Sequence, residues 1–225
     1  MIGIRGLLPD VVVAGEAFDD RPGEAPFPGE EDLIARAVDG RRREFVTARR
    51  LAREALAELG YRPAPIRSGP NREPIWPAGV VGALTHCAGY RAAAVARQSD
   101  LAALGIDAEP NSPLPAGVGP SIIRPTEAER LDPLFAYAPE VHWDRLLFSA
   151  KESVYKAWFP LTGRWLGFED AELTFDPMAA TFGARILIDG ARTDGGPPLT
   201  ELAGRFLVEN GLLVTAVTVP QQDDL

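Results

Sequence analysis

The stretch FSAKESVYKAW, residues 148–158, holds the only two lysines of the chain, Lys151 and Lys156, on either side of Glu152. The other 21 of the 23 cationic residues are arginine. Where arginine serves as the generic positive charge, two retained lysines mark places that suit a compact ammonium better than a planar guanidinium. A solvated helix that happens to carry both is the competing reading. A second candidate is GIDAEP, residues 105–110. On a strand, Asp107 and Glu109 share one face and Ala108 points the other way. Two parallel carboxylates repel unless a cation lies between them, and hard oxygen donors suit Mg²⁺, with Mn²⁺ as the alternative. Exposed carboxylates at a strand end, paired with arginine, would explain the same two residues.

The first stretch has helical spacing. At about 100° per residue, Arg145, Ser149, Glu152 and Lys156 form a polar stripe opposite Leu147, Ala150, Val154 and Ala157. Lys151 falls among the apolar positions, between Tyr155 and Trp158, where a lysine needs a partner. If this helix faces GIDAEP, Glu152 supplies a third carboxylate and the lysines meet phosphate oxygens. A plain surface pair of Glu152 and Lys156 at i,i+4 remains open.

Other elements must position these groups. RRREFVTARRLAREALAELG reads as a helix closed by Gly60, preceded by a second helix, EEDLIARAV. On its wheel Arg43 and Arg50 face solvent, whereas Arg41 and Arg49 fall within or beside the apolar face. Unpaired arginine there calls for an anion, a protein carboxylate, or a route to solvent along the margin. The turn-rich SGPNREPIWP places Arg72 near the surface, and the strand VVGALTH ends on Thr85 and His86. AAAVAR and LAALGIDAE read as a hairpin turning at Gln98, Ser99 and Asp100. The Pro- and Gly-rich segment 109–125 separates the halves, and Thr126 with Glu129 predicts a capped helix start. Beyond residue 159 the pattern is β, with Asn210-Gly211 as a hairpin turn.

Composition narrows the function. The chain of 225 residues carries a net charge of −9, against a generic nucleic-acid binder, yet seven arginines crowd between Arg36 and Arg53. One cysteine, Cys87, excludes an internal disulfide and suits a reducing cytoplasm. No stretch has the length of a membrane span, and neither a Walker loop nor a dinucleotide fingerprint is present.

GIDAEP followed about 40 residues later by FSAKESVYKAW resembles the paired signatures of the 4′-phosphopantetheinyl transferases. LTHCAGY resembles that family's histidine motif, and REPIWP its upstream Gly-Lys-Pro loop. GVVGALTHCAGYRAA and HWDRLLFSAKESVYKAWFPLTGRWLGFED are similar to the large monomeric class, in its mycobacterial and actinobacterial branch. The resemblance implies an α+β fold of two similar halves in pseudo-two-fold arrangement, residues 1–105 and 106–225. Each packs a helix on a small antiparallel sheet, with the active site in the cleft between them. It implies transfer of the phosphopantetheine arm of coenzyme A to a serine of an acyl or peptidyl carrier domain of fatty-acid, polyketide or nonribosomal peptide synthases, releasing adenosine 3′,5′-bisphosphate. Asp107, Glu109 and Glu152 would hold Mg²⁺, with Glu152 also the candidate base. Lys151 and Lys156 would neutralise pyrophosphate oxygens. His86, beside Thr85, would contact phosphate, and Arg41 and Arg49 the adenosine 3′-phosphate. The chain departs from the pattern at Cys87, where the family writes serine, and at Glu73, where it writes lysine. The loop contact passes there to Arg72 or to the backbone, with Ser68 and Asn71 as hydrogen donors. A module that binds coenzyme A or a carrier without reaction, and another Mg²⁺-dependent phosphoryl or nucleotidyl transferase, are the rival functions. The segment 121–129 is expected to form a lip that meets the carrier.

Overall fold

The computed structural model describes residues 3–221; residues 1, 2 and 222–225 of the two expected halves lie outside it. In chain order the elements are β1 (Val13–Ala17), α1 (Asp39–Glu58), β2 (Val80–Cys87), β3 (Tyr90–Arg97), β4 (Leu101–Pro110), α2 (Gly119–Ile122), α3 (Pro125–Tyr137), α4 (Trp143–Thr162), β5 (Ala171–Asp176), β6 (Thr181–Ile186), β7 (Glu201–Glu209) and β8 (Leu212–Pro220). The strands form two antiparallel sheets, β1-β3-β2 and β4-β8-β7-β6-β5. Each sheet carries one 20-residue helix, α1 on the first and α4 on the second.

Local chemistry accounts for the helix ends. Gly60 takes a φ of 89° after α1, its N–H donates to Ala57 O at 2.9 Å, and the N–H of Tyr61 donates to Leu56 O at 3.0 Å. This paired closure needs a left-handed residue, which glycine supplies without strain. EEDLIARAV forms only a short 3-10 turn at Glu31–Ile34, too brief to be the helix expected there. The α3 start also differs from expectation. Glu127, not Glu129, accepts from the backbone N–H of Arg124 at 2.9 Å, and the Thr126 hydroxyl turns to Glu172. The Asn210-Gly211 turn, with φ of 54° and 74°, is of the primed kind that matches strand twist.

Strand β4 does not form a hairpin with β3. It pairs along its length with β8, so residues 101–105 belong to the second sheet, and a division at 105 would cut this strand in two. Helix α4 crosses β4 at Gly105. A Cβ there would run into the Ser153 carbonyl oxygen and lie 2.8 Å from Ala157 N. The glycine thus lets the helix backbone reach the strand two residues before Asp107. Strands β2 and β4 pack side by side where the sheets meet.

Candidate active site

A cleft of about 900 Å³ opens where α1, the 66–74 loop, β2, β4 and α4 converge. Arg41, Arg49, Ser68, Asn71, Arg72 and His86 are among its lining residues, as are Thr85, Asp107, Glu152 and Lys156.

At the arginine end, Arg49 is 7% exposed. Its Nε donates to Ile66 O at 2.9 Å and its Nη2 to Ser68 Oγ at 3.0 Å, while the guanidinium lies 3.6 Å from the Phe45 ring centroid. Burial brings its pKa down to about 10, against the pull of Glu30 and with the push of Arg41. A cation depressed in this way gains from an incoming anion. Arg41 lies 3.6 Å from Glu44 and against the His86 ring. His86 Nδ1 is 3.1 Å from Glu44 Oε2. Burial first, then Arg41, Lys156, Arg91 and Arg49, lowers His86 to about 4. Glu44 favours the imidazolium, but burial and four cations outweigh one carboxylate, so the ring is neutral at pH 7. Arg41 then donates to the neutral ring.

Glu44 escapes a search for anion-binding residues because it carries the wrong sign. The only hint in the sequence is its position three residues after Arg41. Arg91 braces it at 3.7 Å and is itself held by both oxygens of Asp20, each at 2.8 Å. In the 66–74 loop Arg72 adopts a φ of 67°, and the Asn71 N–H donates to Glu73 Oε2 at 2.9 Å. The carboxylate at position 73 is thus turned back on its own loop.

At the carboxylate end, Thr85 from β2 ties the two sheets together. Its hydroxyl donates to Asp107 Oδ1 at 3.3 Å and accepts from the Ala108 N–H at 3.0 Å. With Thr85 3% exposed, that hydroxyl is committed to Asp107 and not free for a phosphate. Lys156 Nζ donates to Asp107 Oδ1 at 2.8 Å and to Ile106 O at 3.0 Å, reaching across to β4 and not down its own helix to Glu152. Burial raises the Glu152 carboxyl, Lys156 opposes this, and Asp107 adds to it. Glu109 does not line the cleft; Arg145 holds its Oε2 at 3.0 Å. Among the described residues no three His, Cys, Asp or Glu side chains form a ready metal cluster. Asp107 Oδ2 is nonetheless buried without a hydrogen-bond partner. An orphaned carboxylate oxygen in a cleft that Glu152 also lines fits a hard cation.

Lys151 departs from its expected role. It is 3% exposed, and its ammonium donates to Glu127 Oε2 at 2.8 Å, Ile122 O at 2.9 Å and Phe168 O at 2.6 Å. All three protons are used on the side of α4 away from the cleft, so this lysine is not placed to meet a pyrophosphate. Its fall among the apolar positions signalled a buried partner, and Glu127 is that partner.

Residues 29–96 match the family model described as the 4′-phosphopantetheinyl transferase N-terminal domain, and residues 103–191 the model of the 4′-phosphopantetheinyl transferase superfamily. The chain belongs to this family. It is 54% identical to 4′-phosphopantetheinyl transferase PptT of Mycobacterium tuberculosis, over 91% of this chain and 90% of that protein. Identity to the transferase Svp of Streptomyces mobaraensis is 52%, over 96% of this chain and 89% of the relative. For Npt of Nocardia iowensis the identity is 48%, over 95% and 98%. The protein is therefore an enzyme that moves the phosphopantetheine arm of coenzyme A onto carrier proteins. A module that only binds is excluded as its description. Among the described residues no helix is long and apolar enough to cross a membrane.

Proposed function

We propose that the cleft holds coenzyme A with its 3′-phosphate at Arg41 and Arg49 and its pyrophosphate beside Lys156, and that Glu152 takes the proton of the carrier serine. The observation that carries this reading is the joint placement of these residues on one cleft, from two helices far apart in sequence, α1 and α4. Arg49 is pre-set by Ile66 and Ser68, so little side-chain freedom is lost when an anion docks. Exposed Arg72 supplies a further charge from the loop, where Asn71 and the backbone lie open to the same ligand. Neutral His86 contributes hydrogen bonding without charge.

Lys156 lines the cleft beside Asp107, and its ammonium is held by two β4 oxygens. Charge that develops on the leaving phosphate would meet a donor already in place. A serine hydroxyl is a poor nucleophile until a base accepts its proton. Burial lifts Glu152 above the usual carboxylate range, which improves it as an acceptor near neutral pH. Asp107 and Glu152 would hold Mg²⁺, or Mn²⁺ in its place, and Glu109 joins them only by leaving Arg145. When bound, the ion supplies Lewis-acid stabilisation of phosphoryl oxygens. The released product is adenosine 3′,5′-bisphosphate, and the acceptors are carrier domains of fatty-acid, polyketide and nonribosomal peptide synthases. The enzyme acts as a monomer in the cytoplasm. Acidic carriers meet it at the 121–129 lip, where local surface and not net charge governs docking.

The test incubates enzyme, coenzyme A, Mg²⁺ and an unmodified carrier domain, and weighs the carrier by intact-mass spectrometry. A gain of one phosphopantetheine, lost in Glu152→Gln while coenzyme A still binds, supports the assignment. Full transfer by Glu152→Gln would remove Glu152 from the chemistry.

A further inference from the structure

Glu73 stands where the family writes lysine, and it lines the cleft. A carboxylate at an anion site opposes the ligand unless the protein uses it elsewhere. The 66–74 loop shows that use. The Asn71 N–H donates to Glu73 Oε2 at 2.9 Å. The carboxylate also lies over Gly69, where a Cβ would run into Glu73 Oε1 and Cδ. Only glycine leaves room for it there. The backbone closes around the same point. Gly69 N–H donates to Glu73 O at 2.8 Å, Arg72 N–H to Gly69 O at 3.0 Å and Ile75 N–H to Arg67 O at 2.9 Å. Within this ring Arg72 holds a φ of 67°, a left-handed conformation that a residue other than glycine keeps only when its surroundings impose it. Asn71 and Arg72 are exposed, so burial of their side chains does not impose it. The bond from Asn71 N–H to Glu73 fixes the backbone directly before Arg72.

The same loop reaches the arginine end of the cleft. Ser68 pairs with Pro74 across the base of the loop, and its Oγ accepts from Arg49 Nη2 at 3.0 Å. Ile66 O accepts from Arg49 Nε at 2.9 Å. Arg49 is thus aimed by a loop whose shape Glu73 holds.

We infer that Glu73 is a positioning residue: seated on Gly69 and bonded to the Asn71 N–H, its carboxylate staples the 66–74 loop so that Arg49, through Ser68, and Arg72 are held toward the 3′-phosphate of coenzyme A. This rests on the reading of the arginine end as the 3′-phosphate site. Position 73 is then a brace for two cations and not itself a contact to the ligand.

A purely electrostatic role predicts the opposite sign, because removing a negative charge near a bound phosphate tightens binding. Glu73→Gln sheds the charge and keeps an acceptor for the Asn71 N–H, whereas Glu73→Ala loses both. Gly69→Ala expels the carboxylate with a methyl group, and what it displaces is the far end of a flexible side chain. These variants, the double variant Gly69→Ala/Glu73→Ala, and Arg49→Met are compared with the wild type. Calorimetry gives the affinity for coenzyme A and for 3′-dephospho-coenzyme A, and transfer to a carrier domain gives KM and kcat. Glu73→Ala and Gly69→Ala should each weaken coenzyme A roughly fivefold, with no further loss in the double variant. Glu73→Gln should stay within about twofold of the wild type. The loss should appear in the coenzyme A KM with kcat little changed, and 3′-dephospho-coenzyme A should be unaffected. Tighter binding by both Glu73→Ala and Glu73→Gln would overturn the inference and leave Glu73 a source of repulsion alone. Unchanged affinity in Glu73→Ala, additive losses in the double variant, or equal weakening by Ala and Gln would overturn it as well. If Arg49→Met weakens both coenzymes alike, the arginine end does not hold the 3′-phosphate, and the inference falls with that reading. A loss selective for coenzyme A in Arg49→Met, beside an unaffected Glu73→Ala, sinks the staple alone.

Discussion

His86 gives the most direct quantitative test of the cleft's electrostatics. The folded protein holds it at about 4, against an ordinary value of 6.5. A histidine kept neutral by its surroundings stabilises the fold above its unfolded pKa, and that contribution is lost as pH falls toward the folded value. Between pH 7.5 and pH 5.0, linkage from 6.5 and 4 gives a loss of at most about 2 kcal/mol. The side chain is 31% exposed, so screening trims that figure. Urea unfolding of the wild type and of His86→Gln at the two pH values measures it, because glutamine cannot titrate. The wild type should lose about 1–2 kcal/mol more than the variant on acidification. Equal losses would refute the account of a half-buried ring surrounded by cations. The reasoning has a second consequence. A phosphate docked among Arg41, Arg49 and His86 reverses the local field, so binding of coenzyme A near pH 5 should take up a proton. Calorimetry in buffers of different ionisation enthalpy reads that uptake directly.

Thr85→Val keeps the shape of the side chain but leaves the Ala108 N–H buried without a partner. A loss of about 1–3 kcal/mol in urea unfolding is expected, with transfer impaired because Asp107 loses its lateral support. Gly105→Ala sets a methyl against the α4 backbone and should destabilise by about 1–3 kcal/mol or more, read as a lowered Tm. Burial first, with Glu109 and Asp107 adding to it, pushes the Cys87 thiol up to about 12. It should therefore resist alkylation at pH 8 in the folded protein and react at once in denaturant, as intact mass will show. Chelation of divalent metal should abolish transfer, with Mg²⁺ restoring it.

The helix wheel of α1 carried much of the site in plain view. Arg41 and Arg49 projected toward the apolar face, and both line the cleft. Arg50 projected to solvent but is 13% exposed and pairs with Glu24 at 3.0 Å. The covering acidic segment comes from 26 positions earlier, a distance that no periodicity reports. The same limit hid the partner of β4. Adjacent strands suggest a hairpin, but β4 crosses to the far end of the chain to pair with β8. Local pattern fixes which residues form an element and which face is apolar. Which element then covers that face depends on long-range packing, whose choices a single sequence records only weakly.

The two lysines show how one stretch can serve two purposes. Lys151 and Lys156 are five positions apart, which on a helix places them about 140° apart. One therefore points to the cleft and the other into the body of the second half. In both places an ammonium donates to a carboxylate and to backbone carbonyls. A guanidinium is broader and planar and would not fit the oxygens, three at Lys151 and two at Lys156, that converge from different directions on one point. What keeps lysine in an arginine-rich chain is thus not one shared ligand. It is the need for a small cation at two sites on opposite sides of Glu152. On this argument Lys151→Arg should destabilise the fold and Lys156→Arg weaken the binding of coenzyme A, although neither substitution alters charge. Tm and coenzyme A affinity, measured on both variants, separate the two. A chain in which both substitutions weakened coenzyme A alone would contradict it.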